Sequence, residues 1–157
     1  MRTIFLLVAT LLLVEGCSST ASRGKFQYYY VGPTTIRFYE LELPEERKHE
    51  PWTGYGVDGG FPQTVVSALE ITGASGTYSL PADMVNDLGN PNIGHVRVRQ
   101  NGKLLELSMT NSDGAGGHHV LFQIDLAKAQ ARRFVRMVIE DDFTKTHNWM
   151  AIRKHGK

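Results

Sequence analysis

Hydrophobic and polar residues alternate along several short stretches of this chain, which is the pattern of half-buried β-strands. The alternation is clear over residues 65–71 and 118–125. Residues 26–31 are rich in aromatic side chains and lead through Gly32-Pro33 into residues 35–43. Aromatic runs of this kind on either side of a Gly-Pro pair are typical of two strands joined by a tight turn.

The clearest turn signal is the Asn101-Gly102 pair, which lies between two alternating runs. Asn-Gly is favoured in two-residue type I′ hairpins, where both central residues have positive φ. The cross-strand pairs expected from this turn are Gln100 with Lys103, Val98 with Leu105, Val96 with Leu107 and Arg97 with Glu106. We therefore predict a hairpin over residues 96–107 with one apolar face and an ion pair on the other.

Three further segments complete the secondary-structure prediction. Residues 81–88 begin with proline and are followed by Gly89, which favours a short helix. Residues 126–139 fit a helical stripe as well as a strand, and we favour a turn at 127–130 followed by a strand. Residues 148–153 are expected to form the last strand. The whole pattern favours an all-β fold, namely a small antiparallel β-sandwich or partly open barrel with one short helix.

The N-terminus has a different pattern from the rest of the chain. Arg2 precedes an almost unbroken apolar run over residues 4–14. As a helix this run would reach only about 17 Å, against a hydrocarbon core of about 30 Å. A charged start, a short apolar middle and a small-residue end are typical of an export signal. We expect residues 1–16 to be a signal peptide.

The end of that run is Val14-Glu15-Gly16-Cys17-Ser18, which resembles the lipobox of bacterial lipoproteins. The resemblance covers residues 1–20, and Glu15 departs from the pattern, which usually has a small neutral residue there. It implies that Cys17 is acylated, becomes the first residue of the mature chain and attaches it to membrane lipid. By the same resemblance, Ser18 favours the outer membrane of a Gram-negative cell, so we expect a lipid-anchored protein of the cell envelope, facing the periplasm.

The composition supports this interpretation and narrows the partners. Cys17 is the only cysteine, so an exported domain has no disulfide partner for it. Residues 17–24 are expected to be a lipidated tether and residues 25–157 a single β-rich domain. The formal net charge is +1, which lacks the basic excess typical of nucleic-acid binding, so we expect no nucleic-acid partner.

Two polar segments are similar to metal sites, and each departs from the required pattern. The loop 110–117 resembles the middle of a calcium-binding loop, but the register places Met109 and Val120 where acidic ligands are needed. His118 and His119 are adjacent in a predicted strand and would point to opposite faces, so they could not share one ion. We expect no metal site and no cofactor.

No catalytic residue is assigned from the sequence. Residues 73–77 are similar to the nucleophile elbow of serine hydrolases but lack the second glycine, which favours a simple turn. A basic group that could meet anionic lipid or polysaccharide comprises Arg132, Arg133, Arg136, Arg153 and Lys154. Because acidic residues at 45, 46, 141 and 142 balance these charges, we expect a solvated surface of mixed charge.

The best candidate for a binding surface is the glycine-aromatic segment 51–62. It contains Trp52, Tyr55 and Phe61 and has a composition poorly suited to regular structure. These rings could stack on a sugar or a partner peptide, or fold back as a lid on the core.

The function expected from these observations is that of a lipid-anchored, non-enzymatic binding or structural module. Its partner would be an envelope protein or a glycan. Two alternatives remain open at this point. One is a periplasmic inhibitor or immunity protein, and the other is a metal-dependent envelope hydrolase that uses Asp113, His118 or His119.

Overall fold

The computed structural model of the chain describes residues 24–111 and 116–156. The described residues form ten strands, β1 Gly24–Val31, β2 Thr34–Glu42, β3 Thr64–Gly73, β4 Gly76–Ser79, β5 Arg97–Asn101, β6 Leu104–Asn111, β7 His118–Asp125, β8 Gln130–Met137, β9 Thr144–Ala151 and β10 Arg153–Lys154. Three short 3-10 helices, Glu45–His49, Ala82–Met84 and Ile93–His95, lie in the connections. The predicted all-β fold is confirmed.

The strands form two antiparallel five-stranded sheets. The first sheet has the order β1-β2-β3-β4-β10, and the second has the order β5-β6-β7-β8-β9. Among the described strands no ladder joins the two sheets, so the architecture is a sandwich rather than a partly open barrel. The chain completes almost all of the first sheet before it begins the second, and only β10 returns.

The core lies between the inner faces of the two sheets. Because side chains alternate along each strand, every second residue is turned inwards. Completely buried residues of the first sheet include Ile36, Phe38, Leu69 and Ile71, and those of the second include Leu107, Val120, Phe122 and Ile124. Removal of this apolar surface from water is the main stabilising contribution expected for such a sandwich.

Most of the predicted strands are confirmed. Residues 26–31, 35–43, 65–71 and 118–125 fall in β1, β2, β3 and β7. Segment 126–139 contains a turn at residues 126–129 and then β8, as we favoured. The last strand differs from its prediction, because β9 begins already at Thr144 and the chain then crosses to the first sheet as β10. Gly24, which was assigned to the tether, is the first residue of β1.

The hairpin between β5 and β6 is present, but its predicted register is wrong. The observed pairs are Asn101 with Leu104, Gln100 with Leu105, Arg99 with Glu106, Val98 with Leu107 and Arg97 with Ser108. These replace the expected pairs Gln100 with Lys103, Val98 with Leu105, Val96 with Leu107 and Arg97 with Glu106. Each residue of β5 pairs with a residue two positions further along β6 than predicted. Because side chains alternate with a period of two, each side chain keeps its predicted face.

The cause of the shift is the turn and the buried carboxylate beside it. The two loop residues are Gly102 and Lys103, and only Gly102 has a positive φ, +59°. That geometry fits a type II′ turn with glycine first, not type I′. Asn101 stays in the strand, where its amide donates to Glu106 Oε1 over 3.0 Å. A buried carboxylate requires such donors, and this register supplies one.

The predicted short helix over residues 81–88 is also wrong in its extent. Only the 3-10 helix Ala82–Met84 forms there, and at Val85 φ changes to −130°. The backbone beyond it bonds to other parts of the chain. The carbonyl of Asp87 accepts from Tyr55 N over 2.7 Å, and the carbonyl of Leu88 accepts from Val66 N over 3.0 Å. These non-local bonds replace those that would continue a helix.

Substitution of Gly102 tests the turn. Gly102→Val should lower the free energy of unfolding by about 1–3 kcal/mol, because a β-branched residue is strained at positive φ. The matched control is Lys103→Val, at the neighbouring loop position without positive φ, which should change stability by less than about 0.5 kcal/mol. Urea unfolding of both variants measures the difference. Equal midpoints for the two variants would contradict the assigned turn.

Candidate functional site

One arginine lies in the interior of the sandwich. Arg133 of β8 is 1% exposed, since the alternation of β8 turns it inwards together with Ala131 and Val135. Its Nη2 donates to Asp87 Oδ2 over 2.7 Å, and its Nη1 also contacts Asp87. A buried charge is tolerated when it is paired and hydrogen-bonded in this way. The expectation that Arg133 belongs to the solvated basic surface is therefore wrong.

Further bonds of Arg133 connect separate parts of the chain. Its Nη1 donates to the Met84 carbonyl over 2.8 Å, and its Nε donates to Thr146 Oγ1 over 2.9 Å. Arg133 thus joins β8 to β9 and to the connection that precedes β5. This arrangement makes the residue a structural element of the interior.

The glycine-aromatic segment lies over this ion pair. Tyr55 N donates to the Asp87 carbonyl, and Gly89 N donates to the Tyr55 carbonyl over 2.8 Å. The guanidinium carbon of Arg133 is 5.6 Å from the centre of the Tyr55 ring. At Gly56, φ is +99° and a Cβ would overlap the backbone of Gly89, so only glycine fits there. The backbone of the segment is therefore fixed against the connection before β5.

The three aromatic residues of this segment are half-buried, and they do not form one continuous surface. The Tyr55 ring faces inwards, 5.5 Å from the ring of His118. Trp52 and Phe61 contact each other edge to face at 5.9 Å, and Trp52 Nε1 donates to the Tyr55 carbonyl over 3.2 Å. Arg47 lies over Phe61 at 5.6 Å. A binding role for Trp52, Tyr55 and Phe61 stays a prediction, with Trp52 and Phe61 better placed for it than Tyr55.

The two adjacent histidines point to opposite faces of β7. His118 is completely buried, and burial lowers its pKa. His119 faces outwards, where its Nδ1 lies 2.9 Å from Thr110 Oγ1. Within residues 24–111 and 116–156, no group of three or more His, Cys, Asp or Glu is arranged to hold a metal ion. Asp113, and with it half of the calcium-like loop, lies outside the described residues, as does Cys17.

The outer face of the second sheet carries a concentration of positive charge that the sequence does not reveal. Strand alternation and pairing place five basic side chains on it, Arg97, Arg99, Arg132, Arg136 and Lys145. We call this surface the basic face. Trp149 also lies there, with its ring centre 4.6 Å from the guanidinium carbon of Arg132. The two acidic residues turned to the same side, Glu106 and Asp125, are only 3% and 7% exposed.

The charge of Glu106 is already used within the sheet. Arg99 donates to Glu106 Oε2 over 2.7 Å, and Asn101 and Gln123 donate to Oε1 over 3.0 and 2.8 Å. Burial raises the pKa of Glu106, but these hydrogen bonds outweigh it and the pKa is lowered. Arg132 Nε donates to the side-chain oxygen Oε1 of Gln123 over 2.8 Å instead of pairing with a carboxylate. Among the described residues, the four basic side chains of this face other than Arg99 form no ion pair.

A groove of about 740 Å³ lies at one end of the basic face. The polar side chains that line it are Asn92, His95, Arg97, Ser108, Thr110, His119 and Arg136, and Phe143 contributes an aromatic ring. They come from the four strands β5 to β8 and from the segments beside them. Among the residues that the structure describes, none that lines the groove is an aspartate or a glutamate. We take this groove as the candidate functional site.

The donors in the groove are suited to an anion. Arg136 lies 5.3 Å from the centre of the Phe143 ring, and its Nε is buried with no hydrogen-bond partner among the described residues. Burial lowers the pKa of His119, and the nearby positive charge of Arg136 lowers it further. An anionic ligand would relieve that repulsion and supply acceptors to the guanidinium groups. The acidic residues 140–142, which directly precede Phe143 in the sequence, are exposed.

Comparison with known proteins gives no assignment. No protein-family model matches the chain, and neither the curated proteins nor the solved structures contain a match. In the part of the chain that the structure describes, no helix has both the length and the apolar character required to cross a membrane. The function must therefore be argued from the geometry and charge of the domain itself.

Proposed function

We propose that this chain is a lipid-anchored, non-enzymatic binding protein of the bacterial cell envelope, and that its groove binds an anionic sugar. The observation that supports this most is the composition of the groove, whose described lining contains two arginines, two histidines and two hydroxyl groups but no carboxylate. A phosphate or carboxylate substituent on the sugar would supply the missing negative charge.

The positions of the two arginines favour a ligand larger than a simple ion. Arg97 is on β5 and Arg136 is on β8, so two strands separate them. At about 4.8 Å between neighbouring strands, their backbones are about 14 Å apart. Each guanidinium group presents a planar fork of donors that matches carboxylate or phosphate. Arginines placed at this backbone separation can contact two ends of a substituted sugar.

The remaining lining fits the rest of such a ligand. Ser108 and Thr110 of β6 lie between the two arginines and can bond sugar hydroxyl groups. Phe143, 44% exposed, offers an apolar ring to the carbon face of a sugar. The volume of about 740 Å³ lies within the range of about 300–1,000 Å³ that is usual for small-molecule sites.

The proposed anchor rests on the sequence alone. The Gly16-Cys17-Ser18 junction follows a short apolar run, and acylation of Cys17 would give the lone cysteine a use. Two or more acyl chains provide stable attachment, whereas one gives only marginal binding. Such an anchor would hold the groove close to the glycans and glycolipids of the envelope. Binding of such a ligand requires no catalytic residue in the groove.

The alternative of a metal-dependent hydrolase has less support than binding. It would use Asp113, His118 or His119, and the two histidines lie on opposite faces of β7, so they could not share one ion. An inhibitor or immunity protein would recognise a whole protein surface. The groove offers a concave site of small-molecule size, which favours a sugar over a protein surface.

Calorimetric titration of the purified protein tests the groove. Glucose 6-phosphate and glucuronate should bind, and uncharged glucose should bind at least about tenfold more weakly, because charge-assisted hydrogen bonds are the strongest contacts available. Arg136→Gln should weaken the charged sugars by about tenfold or more. The matched control is Arg153→Gln, an exposed arginine of β10 in the other sheet, which should leave affinity unchanged. Equal affinity for glucose, or equal losses in both variants, would contradict the proposal.

Replacement of Cys17 tests the anchor separately. The wild-type mature chain should begin at Cys17, carry acyl chains and sediment with membranes, whereas the chain that begins at residue 17 with Cys17→Ser should lack the acyl mass and sediment with membranes only weakly. Intact mass spectrometry and membrane fractionation measure these two properties. A wild-type chain without acyl mass would refute the anchor and leave the proposal for the groove standing.

A further inference from the structure

The outer face of the first sheet carries an exposed aromatic cluster. Phe26, Tyr28 and Tyr30 alternate along β1, and Tyr39 lies beside them on β2. Phe26 is 58% exposed and Tyr30 is 71% exposed. The ring centre of Phe26 is 5.4 Å from that of Tyr28 and 6.4 Å from that of Tyr39. We call these four residues the aromatic face, and a contiguous exposed patch of this kind usually marks a contact surface.

The charges beside the aromatic face are already paired. Arg37 lies over the rings of Tyr28 and Tyr39, at 4.8 and 5.5 Å, and its Nη1 is 3.7 Å from Glu70 Oε2. Tyr39 donates its hydroxyl to the same carboxylate over 3.0 Å. These contacts occupy the β2 and β3 side of the cluster. Among the described residues, nothing covers the β1 side, with Phe26 and Tyr30, at the edge of the sheet.

We infer that the aromatic face rests in the interfacial layer of the membrane that holds the anchor. The inference depends on the acylation of Cys17 in the proposed function and is independent of the groove. Seven residue steps separate Cys17 from Gly24, the first residue of β1. Even when fully extended, that length of chain spans no more than about 25 Å. The strand that carries the exposed rings is therefore the part of the domain joined to the bilayer by the shortest connection.

The chemistry of the face matches this layer. Tyrosine has an apolar body and a polar tip, and aromatic rings are enriched at the level of the lipid headgroups. The other exposed apolar stretch, Val138 and Ile139, is followed directly by three acidic residues at 140–142, which oppose contact with an anionic surface. The aromatic face is the better candidate for membrane contact.

This orientation has a consequence for the groove. The two sheets of a sandwich stack about 10 Å apart, and the aromatic and basic faces are turned to opposite sides of the stack. When the aromatic face lies on the membrane, the basic face is directed away from it. The groove would then be open to ligands in the adjoining compartment.

Depth measurements on the acylated protein test the orientation. Tyr30→Cys and, as the matched control on the opposite side of the sandwich, Arg99→Cys each add one free thiol for an environment-sensitive fluorophore. The proteins are placed in vesicles of phosphatidylethanolamine and phosphatidylglycerol that contain a headgroup quencher. The fluorophore at residue 30 should be quenched, since interfacial side chains lie within about 10 Å of the headgroups. The fluorophore at residue 99 should not be quenched.

A second experiment measures the contribution of the rings without the acyl chains. The Cys17→Ser chain should bind the same vesicles weakly, and Phe26→Ser with Tyr30→Ser should reduce that binding by about tenfold. The matched control is Thr72→Ser with Thr77→Ser, in β3 and β4, which are separated from β1 by β2 in the same sheet. This control should leave vesicle binding unchanged.

The outcomes separate this inference from the rest of the proposed function. Intact mass reports acylation, and an unacylated wild-type chain overturns the inference together with the anchor. An acylated protein with equal quenching at residues 30 and 99 overturns the inference and leaves the anchor standing. Vesicle binding that is unaffected by the loss of Phe26 and Tyr30 also overturns it, and points to a glycan or protein contact for these rings instead.

Discussion

The connections of this sandwich depend on one ion pair, between Arg133 in the interior of β8 and Asp87 in the connection before β5. The carboxylate of Asp87 compensates the buried guanidinium group, and its backbone carbonyl holds Tyr55. A single residue therefore positions the chain before β5 and the glycine-aromatic segment after β2. Loss of Asp87 would leave the buried guanidinium group of Arg133 uncompensated, which is among the most destabilising changes in a protein interior.

In the second sheet, each buried charged group has partners that compensate its charge, whereas most side chains of the basic face form no ion pair among the described residues. The inward arginine is neutralised by Asp87, and the carboxylate of Glu106, buried on the outer face, is bonded by Asn101, Gln123 and Arg99. What remains exposed on the basic face is positive charge. A chain with a formal net charge of only +1 can therefore present one strongly basic surface, because its acidic residues are buried, paired or placed elsewhere.

The sequence predicts those parts of the structure that depend on local patterns. Alternation with a period of two identifies β7 and separates the environments of His118 and His119 correctly. It also assigns the faces of Leu105 and Leu107, which remain inward although the register is shifted. The register itself depends on the buried Glu106 and its donors in other strands. No local pattern contains that information.

The candidate site could not be predicted for a related reason. Arg97, Thr110, His119 and Arg136 are distant in sequence and become neighbours only through the registers of β5 to β8. The placement of Arg133 depends on Asp87, 46 positions earlier in the chain. Conversely, the aromatic and glycine content of segment 51–62 indicates irregular structure correctly but does not show that Tyr55 faces the interior.

The most direct test of the account is to locate the bound anion by NMR. The isotopically labelled mature chain with Cys17→Ser is titrated with glucose 6-phosphate, and the amide and guanidinium resonances are followed. The account predicts that the perturbed signals cluster at the groove, at Arg97, Thr110, His119 and Arg136, and that uncharged glucose leaves them in place. Perturbations centred on Trp52 and Phe61, or none at the groove, would contradict it.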